Sequence, residues 1–170
     1  MTAVAADNTL FRAIFATLPT AVAVVTALDR DGTPRGFTCN AVTAVSADPP
    51  LLLVCVDRTS VTSAALRTAG AFVVNFLAAD AAGTSRRFAG KGEDKFDGVA
   101  TTPSRAAGGA PVLTGDAVAV AECVTTDVVP AGDHWIVLGR VEAGSVHERD
   151  TLMYFRRTYS AWAATPAPVG

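Results

Sequence analysis

A succession of short apolar runs, their hydrophobic residues mostly valine and alanine, crosses this chain without the regular strand–helix alternation of a parallel sheet. The runs are "AVAVVTAL" (21–28), "GFTCNAVTAVS" (36–46), "LLLVCV" (51–56), "AFVVNFL" (71–77), "AVAVAECVTTDVV" (117–129), "HWIVLGRVEAGSV" (134–146) and "TLMYFRRTY" (151–159). Turn chemistry separates them: Asp31-Gly32, the break at Asp48-Pro49-Pro50, and the stretch Pro130 to Asp133. The pattern predicts a mainly β chain closed into an antiparallel barrel with small helices. No G-x-G-x-x-G follows a first strand, so any nicotinamide cofactor binds outside a Rossmann site.

Two or three helices complete the reading. "DNTLFRAIFATLP" has Asp7 or Asn8 as cap, and an apolar stripe of Leu10, Phe11, Ile14, Phe15 and Leu18 ended by Pro19. That stripe is expected in the core or at a dimer contact. "TSVTSAALRTAG" (59–70) reads as a helix capped by Thr59 or Ser60 and stopped by Gly70. Residues 78–98 are helical in propensity but broken by glycines, "TPSRAAGGAP" reads as loop, and residues 163–170 as a flexible tail. The whole chain, 1–170, is expected to be one domain with a core over about 10–162.

Composition narrows the function. A net charge of −2 argues against a nucleic-acid partner or an anionic membrane surface. The longest charge-free apolar run contains Pro19 and falls short of the roughly 20 residues that span a bilayer. The three cysteines, Cys39, Cys55 and Cys123, form no C-x-x-C pair, which points to reduced thiols and a cytoplasmic setting. The two histidines, His134 and His147, have no carboxylate spacing that suggests a metal site.

Four stretches carry candidate chemistry. The run 36–46 puts Thr38, Cys39, Asn40 and Thr43 in mid-strand, where small polar residues let a planar heterocycle approach free backbone N–H groups; a solvated edge strand gives the same pattern. In "CVDRTS" a strand ends at Asp57, and Arg58, Thr59 and Ser60 precede a helix N-terminus, a favoured place for phosphate or for simple capping. "SRRFAGKGEDKF" interleaves Arg86, Arg87, Lys91 and Lys95 with Phe88 and Phe96, and lacks the Gly-Lys-Ser/Thr of a P-loop. "GDHWIVLG" sets His134 at a strand start, as a turn residue or facing a ligand.

In this order the stretches, with "PTAVAVVTA", "FVVNFL" and "GAPVLTGDAVAVAECV", resemble the short-chain flavin reductases of two-component flavin-dependent monooxygenases, from about Leu10 to Trp162. The resemblance implies a Greek-key split β-barrel, a homodimer, and hydride transfer from NADH or NADPH to FAD or FMN for a partner monooxygenase. It implies that Phe37, Thr38, Cys39, Asn40, Ala41 and Val42 line the isoalloxazine ring. Cys55, Val56, Asp57, Arg58, Thr59 and Ser60 then follow the ribityl and phosphate arm. Phe88, Ala89, Lys95 and Phe96 close over the flavin, and Asp133 and His134 face the nicotinamide, with His134 as a positioning donor. Many members carry Ser or Ala where this chain has Cys39 and Asn40. A flavin-holding electron carrier without nicotinamide chemistry, or a non-flavin ligand barrel, are the competing readings.

Overall fold

The computed structural model describes residue 5, residues 7–92 and residues 94–162. In chain order the elements are α1 (Asn8–Phe15), β1 (Thr20–Ala21), β2 (Ala23–Leu28), β3 (Pro34–Cys39), β4 (Val42–Ala47), β5 (Pro50–Asp57), α2 (Val61–Ala69), β6 (Ala71–Leu77), α3 (Ala82–Ala89), β7 (Thr101–Pro103), β8 (Pro111–Leu113), β9 (Ala117–Ala131), β10 (His134–Val146), β11 (Thr151–Phe155) and β12 (Thr158–Trp162). The expected tail, 163–170, lies outside the described residues. No helix among the described residues is long and apolar enough to cross a membrane.

The main sheet has seven antiparallel strands in the order β3-β2-β6-β9-β10-β5-β4. Its two end strands, β3 and β4, are neighbours in sequence, separated only by Asn40 and Ala41. Two residues cannot cross an open sheet, so the sheet must curl until its ends meet. At the seam Cys39 Sγ of β3 donates to the Cys55 carbonyl of β5 at 3.6 Å, while the Cys55 N–H donates to the Ala41 carbonyl at 3.0 Å and extends the β4–β5 ladder. The run 36–46, read from sequence as one extended segment, is therefore two strands on opposite ends of the sheet. The "TPSRAAGGAP" segment also departs from a plain loop, because the strands β7 and β8 pair around it.

Alternation along the strands fills the barrel. Leu52, Val54 and Val56 of β5 point inward with Ala23, Val25 and Ala27 of β2, Phe72 and Val74 of β6, Cys123 of β9 and Val137 of β10. Helix α2 places Ala65 and Leu66 in the same cluster. Burial pushes the Cys39 thiol up to about 11 and the Cys123 thiol up to about 12, the latter helped by Glu122 and Glu142. Strand β2 is buried on both faces, since Val24 joins Leu77, Phe88, Leu113 and Leu152 in a second cluster outside the barrel. Asn75 is buried between these layers with its bonds made: Nδ2 donates to the Val24 carbonyl at 3.1 Å and Oδ1 accepts from the Leu113 N–H at 2.8 Å.

Asp7 caps α1, accepting from the Leu10 N–H at 2.7 Å. No residue of α1 is buried, and Phe11, Ile14, Phe15 and Leu18 remain about half exposed. The stripe thus lies outside the core of this chain.

Candidate functional site

A cleft of about 550 Å³ opens along β3, between the start of α2 and residues 88–92 with Lys95 and Phe96. Its floor is a free strand edge. The Gly36 carbonyl accepts from Thr62 Oγ1 and from Lys95 Nζ, both at 3.2 Å, so it points away from β2. In an antiparallel strand the N–H and C=O of one residue point the same way, and residues two apart repeat the direction. The N–H groups of Gly36 and Thr38 therefore lie on the cleft side. Gly36 also makes room for the wall: an added Cβ would sit 2.7 Å from Phe88 Cε1.

The second wall is the N-terminus of α2. Asp57 fixes the approach, with Oδ1 accepting from both the N–H and the hydroxyl of Thr59 at 2.7 Å. Those bonds hold the Asp57 carboxyl below the usual carboxylate range. Ser60 caps the helix, accepting from the Thr62 N–H at 3.3 Å. The third wall rests on Phe88, fully buried and edge-on to Phe96 with ring centroids 5.0 Å apart. Lys95 ties this wall to the floor, since its Nζ also donates to the Phe88 carbonyl at 3.0 Å. Partial burial draws the Lys95 ammonium below its ordinary value.

His134 stands at the start of β10, directly across from Asp57 in the β5–β10 register. Cross-strand partners share a face, so His134 sits beside the Asp57 end of the cleft without lining it. Its Nδ1 bonds Asp133 Oδ1 at 2.7 Å, and that bond holds the Asp133 carboxyl below the usual range. An ionised carboxylate only accepts, so the Nδ1–H donates to Asp133 and Nε2 is left without a hydrogen-bond partner among the described residues.

Of the residues singled out in the sequence, Phe37, Thr38, Asp57, Thr59, Ser60, Phe88, Ala89, Lys95 and Phe96 line the cleft. Others do not. Cys39 and Val56 are buried in the barrel, and Val42 and Cys55 flank its wall. Ala41 and Asn40 form the β3–β4 corner, where Asn40 Nδ2 donates to Thr20 Oγ1 at 3.3 Å. Arg58 turns toward the β9–β10 turn: its Nη1 donates to the Gly132 carbonyl at 3.2 Å and its Cζ lies 4.7 Å from the Trp135 ring centroid. Asp133 and His134 stand outside the lining. Sequence reasoning missed Pro34, Arg35, Gly36 and Thr62, all of which line it. A glycine inside a strand, often a mark of close approach, was the available signal.

A free strand edge suits the polar rim of a planar heterocycle. Helix-terminal N–H groups, the Ser60 hydroxyl and an ammonium suit an attached phosphate. This donor set fits a phosphorylated flavin, and the barrel with its edge cleft defines a nucleotide-binding β-barrel class. The comparisons with known proteins agree. Residues 15–163 match the model of the flavin reductase like domain family, and the chain belongs to that family. It is 45% identical over 164 residues to flavin reductase (NADH) of Kitasatospora aureofaciens, covering 95% of this chain and 85% of that protein. It is 38% identical over 157 residues to HsaB, the reductase subunit of a flavin-dependent monooxygenase of Rhodococcus jostii (strain RHA1), covering 92% and 78%. The solved structure of the Streptomyces globisporus C-1027 NADH:FAD oxidoreductase SgcE6, in complex with NAD and FAD fragments, superposes with a TM-score of 0.87 at 33% identity, covering 95% of this chain and 96% of that one.

Proposed function

We propose that the protein is an NAD(P)H:flavin oxidoreductase that reduces FAD or FMN with a hydride from NADH or NADPH and releases the reduced flavin to a partner monooxygenase. The observation that carries this is the cleft itself: a free β3 edge that ends at a capped helix N-terminus, with His134 beside it. When bound, the flavin ring supplies the hydride acceptor. The chain supplies position. The Thr38 N–H holds the heterocycle edge and stabilises negative charge there without a general acid. Ser60, the α2 N-terminus and Lys95 hold the phosphate arm, with Thr59 fixed beside them by Asp57. Phe88 and Phe96 set the height of the wall on which Lys95 rests. His134, oriented by Asp133, bonds the carboxamide or ribose of the nicotinamide through Nε2 and fixes its approach. An electron carrier has no use for that histidine, and the chain's relatives are named as reductases.

The same reading extends to assembly and setting. A second copy of the chain covers the α1 stripe. The chain works as one domain with its core over about 10–162. Three free thiols suit a reducing compartment, the cytoplasm.

The phosphate end is tested by Ser60→Asp. Aspartate caps a helix as well as serine does, so α2 persists while a negative charge faces the phosphate. The Kd of FMN is expected to rise at least about tenfold, with riboflavin, which lacks the phosphate, much less affected. Equal losses for both ligands, or none, would place the phosphate elsewhere.

A further inference from the structure

The cleft runs past the place where a mononucleotide ends. The phosphate donors, Ser60 and Lys95, stand level with Gly36, whose carbonyl Lys95 and the first turn of α2 both engage. Pro34 and Arg35 continue the lining beyond that level, and Lys91 lines it as well. Each strand residue advances about 3.3 Å, so Pro34 lies about 7 Å beyond Gly36. A mononucleotide whose phosphate is held by Ser60 and Lys95 would end short of this stretch.

Arg35 is fixed there. Its Nε donates to Asp29 Oδ2 at 3.0 Å, and its side chain is 29% exposed. Asp29 is itself held, because Oδ1 accepts from the N–H groups of Asp31 and Thr33 at 3.0 and 2.9 Å. These bonds and the Arg35 guanidinium keep the Asp29 carboxyl below the usual range. The Nε bond sets the guanidinium plane and leaves both terminal NH₂ groups without a hydrogen-bond partner among the described residues. A pre-oriented guanidinium with unused donors suits a phosphate.

We propose that Arg35, assisted by Lys91, holds the adenosine diphosphate half of FAD and so makes FAD, not FMN, the preferred flavin. This rests on the flavin reductase reading and names the substrate within it. The nicotinamide dinucleotide carries the same adenosine diphosphate chemistry. The flavin is favoured because Arg35 and Lys91 line the same cleft as the phosphate donors Ser60 and Lys95, whereas Asp133 and His134 stand outside its lining.

The test is the Kd of FAD and of FMN, read from quenching of flavin fluorescence, for the wild type, Arg35→Gln and Lys91→Gln. The wild type is expected to bind FAD at least about tenfold more tightly than FMN, the effect of one charge-assisted hydrogen bond. Arg35→Gln should bring the ratio of the two Kd values toward 1, and Lys91→Gln should lower it severalfold. Arg35→Gln also breaks the pair with Asp29; should it fail to fold, Lys91→Gln decides, since Lys91 makes no hydrogen bond among the described residues. Equal wild-type Kd values, or a ratio that neither folded variant changes, overturns the proposal. An unchanged ratio with a raised KM for NADH also overturns it and assigns the cations to the nicotinamide dinucleotide. Failure of the wild type to bind either flavin contradicts the reductase reading itself, a result distinct from binding both equally.

Discussion

Replacing Gly36 with alanine places a methyl carbon 2.7 Å from Phe88 Cε1, 2.9 Å from Phe88 Cδ1 and 3.2 Å from Phe96 Cζ. Carbon atoms in contact settle at about 3.5–4.0 Å, so the Phe88 ring must retreat by about 1 Å. It has nowhere to go: the ring is fully buried among Val24, Leu77, Leu113 and Leu152. Overpacking of this kind costs about 1–3 kcal/mol. At about 2–4 °C per kcal/mol for a chain of this size, a loss near the middle of that range lowers Tm by about 4–8 °C. The damage reaches the site, because the Phe88 carbonyl anchors Lys95; flavin affinity falls with stability. Calorimetry and a flavin titration measure both. Phe88→Leu trims the opposing ring, so the double variant should exceed the stability expected from the two single losses by about 1 kcal/mol or more. Gly36→Ala with a wild-type Tm and wild-type flavin affinity, or strict additivity with Phe88→Leu, would refute the claim that Gly36 seats this wall.

His134→Ala is expected to raise the KM for NADH severalfold with a smaller change in kcat, as steady-state kinetics will show; a loss confined to kcat would contradict the positioning role. The same variant should return the Asp133 carboxyl upward toward its ordinary value by NMR titration. The sign follows from the depressed value: the Asp133–His134 contact is complete above the usual carboxylate range and is lost as pH falls through the lowered Asp133 value. The thiols form a third check. With Cys39 near 11 and Cys123 near 12, both buried, a disulfide thiol reagent at pH 8 should label Cys55 well ahead of the other two in the native protein and all three after unfolding. Rapid native labelling of Cys39 would contradict the barrel seam.

The parts of the site legible in the sequence are those set by local chemistry. Ser60 was visible as a cap because capping is decided within three residues. The free edge at Gly36 was not, because it depends on β3 and β4 ending the same sheet, a consequence of strand order across the whole chain. The neighbourhood of His134 and Asp57 arises from β5–β10 pairing between segments far apart in sequence. Arg58 shows the limit of motif reading: its position suggested phosphate, but the Gly132 carbonyl and the Trp135 ring compete for the guanidinium and hold it. Phe88 was noticed because a phenylalanine in a charged run needs cover, and the cover proved to be the second core. The amphipathic α1 declared an apolar contact without declaring its partner. Family resemblance located the stretches; register and sheet order determined which residues face the cleft.

The central claim is that this chain alone carries a hydride from the nicotinamide to a flavin in the β3 cleft. Anaerobic mixing of the purified protein with FAD and NADH tests it most directly. The account expects no NADH oxidation without flavin, then bleaching of the flavin in step with loss of NADH absorbance, saturating with flavin and slowed at low NADH by His134→Ala. A protein that binds flavin yet leaves it oxidised under excess NADH and NADPH would contradict the account and make the cleft a flavin carrier.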